Sequence, residues 1–134
     1  MMVERNLQVS GTKSGVAEAR AWACAQLEGS GGPVNWRPDY QVVALLVSEL
    51  VTNAVRHGSG AEVLRLMWDE RRLRIAVDDA SAELPVMRAA RPDRPGGHGM
   101  NLVRRLAGGW GAAPRDGGKR VWADLVPGWE PSPA

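Results

Sequence analysis

A carboxylate, an amide and an imidazole follow one another at successive i+4 steps as Glu49, Asn53 and His57, within a stretch that is otherwise largely apolar. On an α-helix this spacing stacks the three side chains along one side. At about 100° per residue, Val43, Leu46, Val47, Leu50, Val51 and Ala54 share a broad apolar face, and Gln41, Ser48, Thr52 and Arg56 lie roughly opposite. The polar row belongs to neither group. It drifts from the border onto the flank of the apolar face, beside Val42, Leu46 and Leu50. Polar groups placed there need partners, because each one buried without them costs about 1–3 kcal/mol. Two readings are open. The row is a polar network or a solvated border that sets the helix position, or it lines a ligand cavity under the helix. In the second reading Asn53 offers an oxygen to Mg²⁺, a hard cation that prefers oxygen ligands. Glu49 is then placed to act as a general base. His57 stands near a helix C-terminus, where the dipole favours its protonated form, and a capping role suits it better than catalysis.

Two further places have chemistry-bearing residues. Leu73, Ile75 and Val77 alternate along a strand that ends in Asp78 and Asp79. Strand period two puts Asp79 on the same side as the three apolar residues and Asp78 on the other. A carboxylate at the end of a buried strand face can accept a hydrogen bond from an exocyclic amine such as that of adenine. Equally, it can cap its own loop. Gly96-Gly97-His98-Gly99 opens the third helix, where glycine permits close backbone approach and free N–H groups suit phosphate. A bare helix-entry turn also explains it. Arg88, Arg91 and Arg94, in the irregular stretch before it, are available to phosphate charge or to solvent.

The elements that must position these residues are readable in outline. Leu7 and Val9 alternate with polar neighbours, as in an edge strand. Ser14 is placed to cap a first helix over 15–28, whose Val16, Ala19, Ala23 and Leu27 recur at helical spacing. Asp39 is placed to cap the long second helix, which runs to about His57 before Gly58-Ser59-Gly60. Residues 61–68 and 73–79 read as an antiparallel hairpin across Glu70-Arg71-Arg72. Residues 80–97 hold Pro85, Pro92 and Pro95 with no sustained period, the pattern of a functional lid or a disordered segment. A short helix from Gly99 to Ala107 follows. A final hairpin joins Trp110–Ala113 to Arg120–Leu125 across Asp116-Gly117-Gly118. This order predicts a two-layer α/β sandwich: a mixed, mostly antiparallel sheet with helices on one face. One domain over 1–126 and a flexible tail over 127–134 fit the length.

Composition narrows the classes. Of 134 residues, 44% are hydrophobic and 24% charged, ordinary globular values. The net charge is +2 with no dense Lys/Arg run, which argues against a nucleic-acid surface. Cys24 is the only cysteine, so the chain has no internal disulfide and no cysteine-based zinc site. Without a charged-then-apolar leader or a long apolar run, the expected setting is the reducing cytoplasm, with no membrane association. Six Trp and no Phe mean that Trp supplies the large aromatic packing.

Taken in order, these segments resemble the GHKL ATPases, the group of gyrase, chaperone, histidine-kinase and mismatch-repair ATPases. Glu49-Leu50-Val51-Thr52-Asn53-Ala54-Val55-Arg56-His57-Gly58 resembles their N-box. Val77-Asp78-Asp79-Ala80-Ser81 is similar to the first glycine box and Gly97-His98-Gly99-Met100-Asn101-Leu102-Val103 to the second. Gly118-Lys119-Arg120-Val121-Trp122-Ala123-Asp124-Leu125 is similar to the terminal strand. Within that group the short chain is most similar to the anti-sigma-factor serine/threonine kinases. The resemblance implies the ATP-binding fold called Bergerat, with ATP and Mg²⁺ as cofactors. It implies Glu49 as catalytic base and Asn53 as the Mg²⁺ ligand. It implies Asp79 as the adenine-binding carboxylate and Gly97 and Gly99 as the phosphate turn; Ser81, His98, Met100 and Arg94 complete the expected nucleotide-binding set. It implies phosphorylation of Ser or Thr on a small anti-sigma antagonist, a sigma factor of RNA polymerase as second partner, and a possible homodimer.

The chain departs from the family pattern at two places. The first glycine box reads Asp-x-Gly-x-Gly in the family, and Ser81 and Glu83 stand at the glycine positions here. The terminal strand often has Thr beside the adenine carboxylate, and Arg120 is read at that position. These departures keep a second expectation open: a binding scaffold of the same fold that makes little or no use of ATP. A histidine-kinase catalytic domain is disfavoured, since no phospho-accepting helix pair precedes the domain.

Overall fold

The computed structural model describes residues 2–28, 32–57, 62–80, 99–115 and 117–128. The element order is β1 (Val3–Val9), α1 (Lys13–Glu28), α2 (Tyr40–His57), β2 (Glu62–Trp68), β3 (Leu73–Asp79), α3 (Gly99–Leu106), β4 (Gly109–Arg115) and β5 (Gly118–Leu125). The five strands form one sheet in the order β1-β2-β3-β5-β4. All four pairings are antiparallel, so the expected mixed sheet is wholly antiparallel among the described strands. The reason lies in the connections. The two hairpins are necessarily antiparallel, and β1 and β5 also enter their neighbours from the opposite end.

Turn and cap chemistry sets the element ends. Asp39 accepts from the backbone N–H groups of Gln41 (2.9 Å) and Val42 (3.3 Å), the expected N-cap of α2. At α1 the cap is Thr12, not Ser14: Thr12 Oγ1 accepts from Gly15 N at 3.3 Å. The helix begins at Lys13, two residues before its apolar pattern becomes visible, and this places Ser14 inside the first turn. Asp69 Oδ1 accepts from Arg71 N (2.8 Å) and Arg72 N (3.1 Å) and folds the β2–β3 connection. Gly117, at φ +72°, provides the left-handed backbone of the β4–β5 hairpin.

The core lies between the sheet and the helices. Val43, Leu46, Val47, Leu50, Val51 and Ala54, the predicted apolar face of α2, are all buried. They meet Leu64, Leu66 and Trp68 of β2, Leu73, Ile75 and Val77 of β3, and Val121, Ala123 and Leu125 of β5. Helix α2 packs centrally against these strands, with α1 on one flank and α3 on the other. Ala19 and Ala23 of α1 are fully buried, and their small side chains permit close approach to α2. Tryptophan supplies large aromatic packing, mostly at the margin of the core. Among the described tryptophans only Trp68 is fully buried; Trp22, Trp36 and Trp110 border the core. Leu, Val and Ala fill the centre instead, since closely spaced helix and sheet layers leave small, regular gaps.

Candidate functional site

Glu49 and Asn53 of the α2 row lie at the border of the helix's apolar face. Both are half-buried, between the sealed apolar face and the solvent side. Among the described residues neither side chain has a hydrogen-bond partner, so both polar groups are available at the helix border. The polar network that could have explained the row is therefore not formed by the described residues. His57 ends the helix, and its side chain lies outside the described atoms. No three His, Cys, Asp or Glu side chains gather as a metal site among the described residues. A cation held at Asn53 would accordingly complete its shell with water and ligand oxygens.

Asp79 ends β3 on the side that α2 covers, as strand parity requires, and it is buried there. It faces Lys119 of β5 across the ladder. Lys119 Nζ lies 3.1 Å from Asp79 Oδ1 and 3.0 Å from Oδ2, and each side chain is 1% exposed. Gly118 makes this junction possible. A Cβ there would fall onto the Asp79 carbonyl oxygen, so only glycine admits the close approach of the two strands. The register that sets Val63 opposite Asp78 brings Glu62 of β2 to the level of Asp79. Glu62 is 0% exposed, and among the described residues neither of its carboxylate oxygens has a hydrogen-bond partner. Burial first, and the Asp79 charge second, push its carboxyl above the ordinary carboxylate range.

Lys119 and Glu62 are the two members of this cluster that motif reading did not single out. Their strand parity carries the signal. Glu62 shares a side with Leu64, Leu66 and Trp68, and Lys119 with Val121, Ala123 and Leu125. The expected neighbour of Asp79, Arg120, lies on the opposite face of the sheet. There it grips Asp78 through Nε (2.5 Å) and Nη2 (2.9 Å). Arg65 Nε joins the same carboxylate at 2.7 Å. The terminal-strand residue beside Asp79 is thus Lys119, one position earlier than the motif alignment placed it.

Gly99 is the first residue of α3, as expected, and α3 packs along α2. A helix N-terminus is the end whose backbone N–H groups and dipole suit an anion. Met100 lies in the first turn of α3, with its side chain outside the described atoms. Ser81, Glu83, Arg88, Arg91, Arg94, Gly97 and His98 lie outside the described residues, as does most of the tail after residue 126. No described helix is long and apolar enough to cross a membrane.

No protein-family profile matches the chain, and no curated protein matches it. Among solved structures it is similar to the histidine kinase domain of the blue-light activated histidine kinase from Erythrobacter litoralis EL346, at 19% identity and a TM-score of 0.47. That likeness covers 84% of this chain and 59% of the other, so the chain spans less than two thirds of the neighbour's length.

Proposed function

We propose that the chain is an ATP-binding protein serine/threonine kinase of the anti-sigma type. It transfers a phosphoryl group to a small anti-sigma antagonist and thereby governs a sigma factor. The observation that carries this reading is the α2 border: Glu49 and Asn53, one turn apart, half-buried and without partners among the described residues. In this reading Asn53 contributes its oxygen to Mg²⁺, and the first turn of α3 with Gly97, His98, Gly99 and Arg94 receives phosphate. Bound Mg-ATP supplies the transferable phosphoryl group. Glu49 accepts the proton of the attacking Ser or Thr hydroxyl, a role that needs a carboxylate within hydrogen-bond reach of that proton.

The test is incubation with Mg-ATP and candidate antagonist proteins. Glu49→Ala keeps ATP binding and lowers transfer at least 100-fold, the ordinary weight of a positioned base. Normal ATP binding with no transfer to any candidate would remove the kinase activity from the reading.

The Asp79–Lys119 pair favours a second reading, a scaffold that binds a sigma factor or antagonist and hardly uses ATP. The base-recognising carboxylate is closed off by a cation of the same chain. Trp68 and Trp110 stand on β2 and β4 on the helix-facing side of the sheet and report on ligand binding there. A flat fluorescence titration with ATP, with and without Mg²⁺, selects the scaffold.

A further inference from the structure

We propose that Lys119 is a built-in competitor for the base-recognising carboxylate, released onto Glu62 when a nucleotide enters; this rests on the ATP-binding reading above. Three observations carry it. The first is occupancy. Lys119 Nζ lies within 3.1 Å of both oxygens of Asp79, and both side chains are sealed from solvent. An exocyclic amine that donates to one of those oxygens competes with the ammonium for the same carboxylate.

The second observation is a place for the ammonium to go. Glu62 is fully buried in the same row of the sheet, with no hydrogen-bond partner among the described residues for either oxygen. An ionised carboxylate left so is costly, and an arriving cation relieves it. Glu62 and Lys119 stand on strands separated by β3 alone, hence about 10 Å apart in the backbone. That span is within the combined reach of a lysine and a glutamate whose side chains leave the same face. The Lys119 ammonium thus exchanges one buried carboxylate for another and never stands unpaired.

The third observation is the residue type. The chain has fifteen arginines and only two lysines, Lys13 and Lys119. Arg120, the next residue, clamps Asp78 with two nitrogens on the far face. An arginine on Asp79 would form the same rigid fork. Lysine instead carries a compact charge on a flexible stem that can turn between two acceptors. Lys119 is therefore a positioning residue that acts through Asp79, and it sets nucleotide affinity without touching the transferred group.

The experiment compares ATP binding by calorimetry for the wild-type chain, Glu62→Gln and the double variant Glu62→Gln/Lys119→Thr, with thermal melts as the check on folding. The double variant removes the ammonium together with one of the two buried carboxylates, so that Asp79 and an ionised Glu62 are not left facing each other. Glu62→Gln binds ATP several-fold more weakly than wild type, because the displaced ammonium has lost its second carboxylate. The double variant binds at least tenfold more tightly than Glu62→Gln. A folded double variant no tighter than Glu62→Gln overturns the competitor while leaving ATP binding intact. If none of the three proteins binds ATP, the nucleotide reading falls and the competitor falls with it. Should the double variant not fold, the wild-type protein labelled at the lysine side-chain nitrogens decides. Its two ammonium signals are separable, and saturating ATP shifts that of Lys119 and leaves that of Lys13. ATP binding with the Lys119 signal unmoved overturns the exchange.

Discussion

Asp78 and Asp79 are neighbours in the chain and have separate tasks, because a strand sends them to opposite faces. Asp78 binds Arg65 and Arg120 on the open face, where all three side chains keep some contact with solvent. Asp79 faces the helices and pairs with Lys119 in a sealed site, where loss of one partner leaves a buried charge. The distinction yields a direct prediction. Arg120→Thr restores the residue type often found on the terminal strand of the resembling family, yet it changes ATP affinity less than twofold. Its side chain is on the far side of the sheet from Asp79, and Arg65 still holds Asp78. A tenfold change on calorimetric titration of this variant would place Arg120 at the base after all. The partnerless border pair Glu49 and Asn53 belongs to the same scale, since nothing in its backbone distinguishes it from the sealed positions one residue away.

Helix α2 is the element that organises the site. One face is buried against three strands, its flanks meet α1 and α3, and its border carries the Glu49–Asn53 row. Its phase about its own axis decides whether that row looks into the site or into solvent. The N-cap sets where the helix begins. Asp39 satisfies two first-turn N–H groups that would otherwise have no partner in the helix. Asp39→Ala lowers unfolding free energy by about 1 kcal/mol, read from urea denaturation at constant m-value. A loss near zero would mean that core packing alone places the helix. The helical period was legible because it needs only local spacing. The Thr12 cap was not, because Ser10, Thr12 and Ser14 are equally good capping residues and form one hydroxyl chain. Only the hydrogen bond of Thr12 Oγ1 with Gly15 N selects among them.

At the scale of the whole molecule, stability is tied to one misplaced charge. Burial and the nearby Asp79 raise the Glu62 carboxyl above its ordinary value of about 4.5. Between that value and the raised one, the folded chain keeps a proton that the unfolded chain has released. Folding stability therefore falls as pH rises through this window and levels off above it. Glu62→Gln cannot ionise and escapes the fall. Thermal melts from pH 4 to pH 8 show the Tm advantage of Glu62→Gln over wild type growing as pH rises. An advantage independent of pH would mean that Glu62 keeps its charge at no cost in the fold. Asp79 and Lys119 face Glu62 and are present in both proteins, so the difference isolates Glu62.

Much of the architecture was present in local patterns. Alternation gave β2 and β3 their bounds and their buried sides, i+4 spacing gave the α2 row, and parity alone sent Asp79 toward the helices. These are properties of neighbouring residues, and any strand or helix made of them has the same faces. Which strands lie side by side is a different kind of fact. The β3–β5 pairing joins Asp79 to Lys119 across forty positions of sequence, and the strand order brings Glu62 into the same row. A one-residue difference in register would put Arg120 at Asp79 and turn Lys119 to the open face. The motif alignment made that one-residue choice, and burial of the apolar residues Val121, Ala123 and Leu125 on the helix side decides otherwise. The sequence thus determined that a carboxylate faces the core at the end of β3. The tertiary structure decided that a lysine already holds it, because long-range pairing obeys the packing of the whole sheet and not the spacing within one strand.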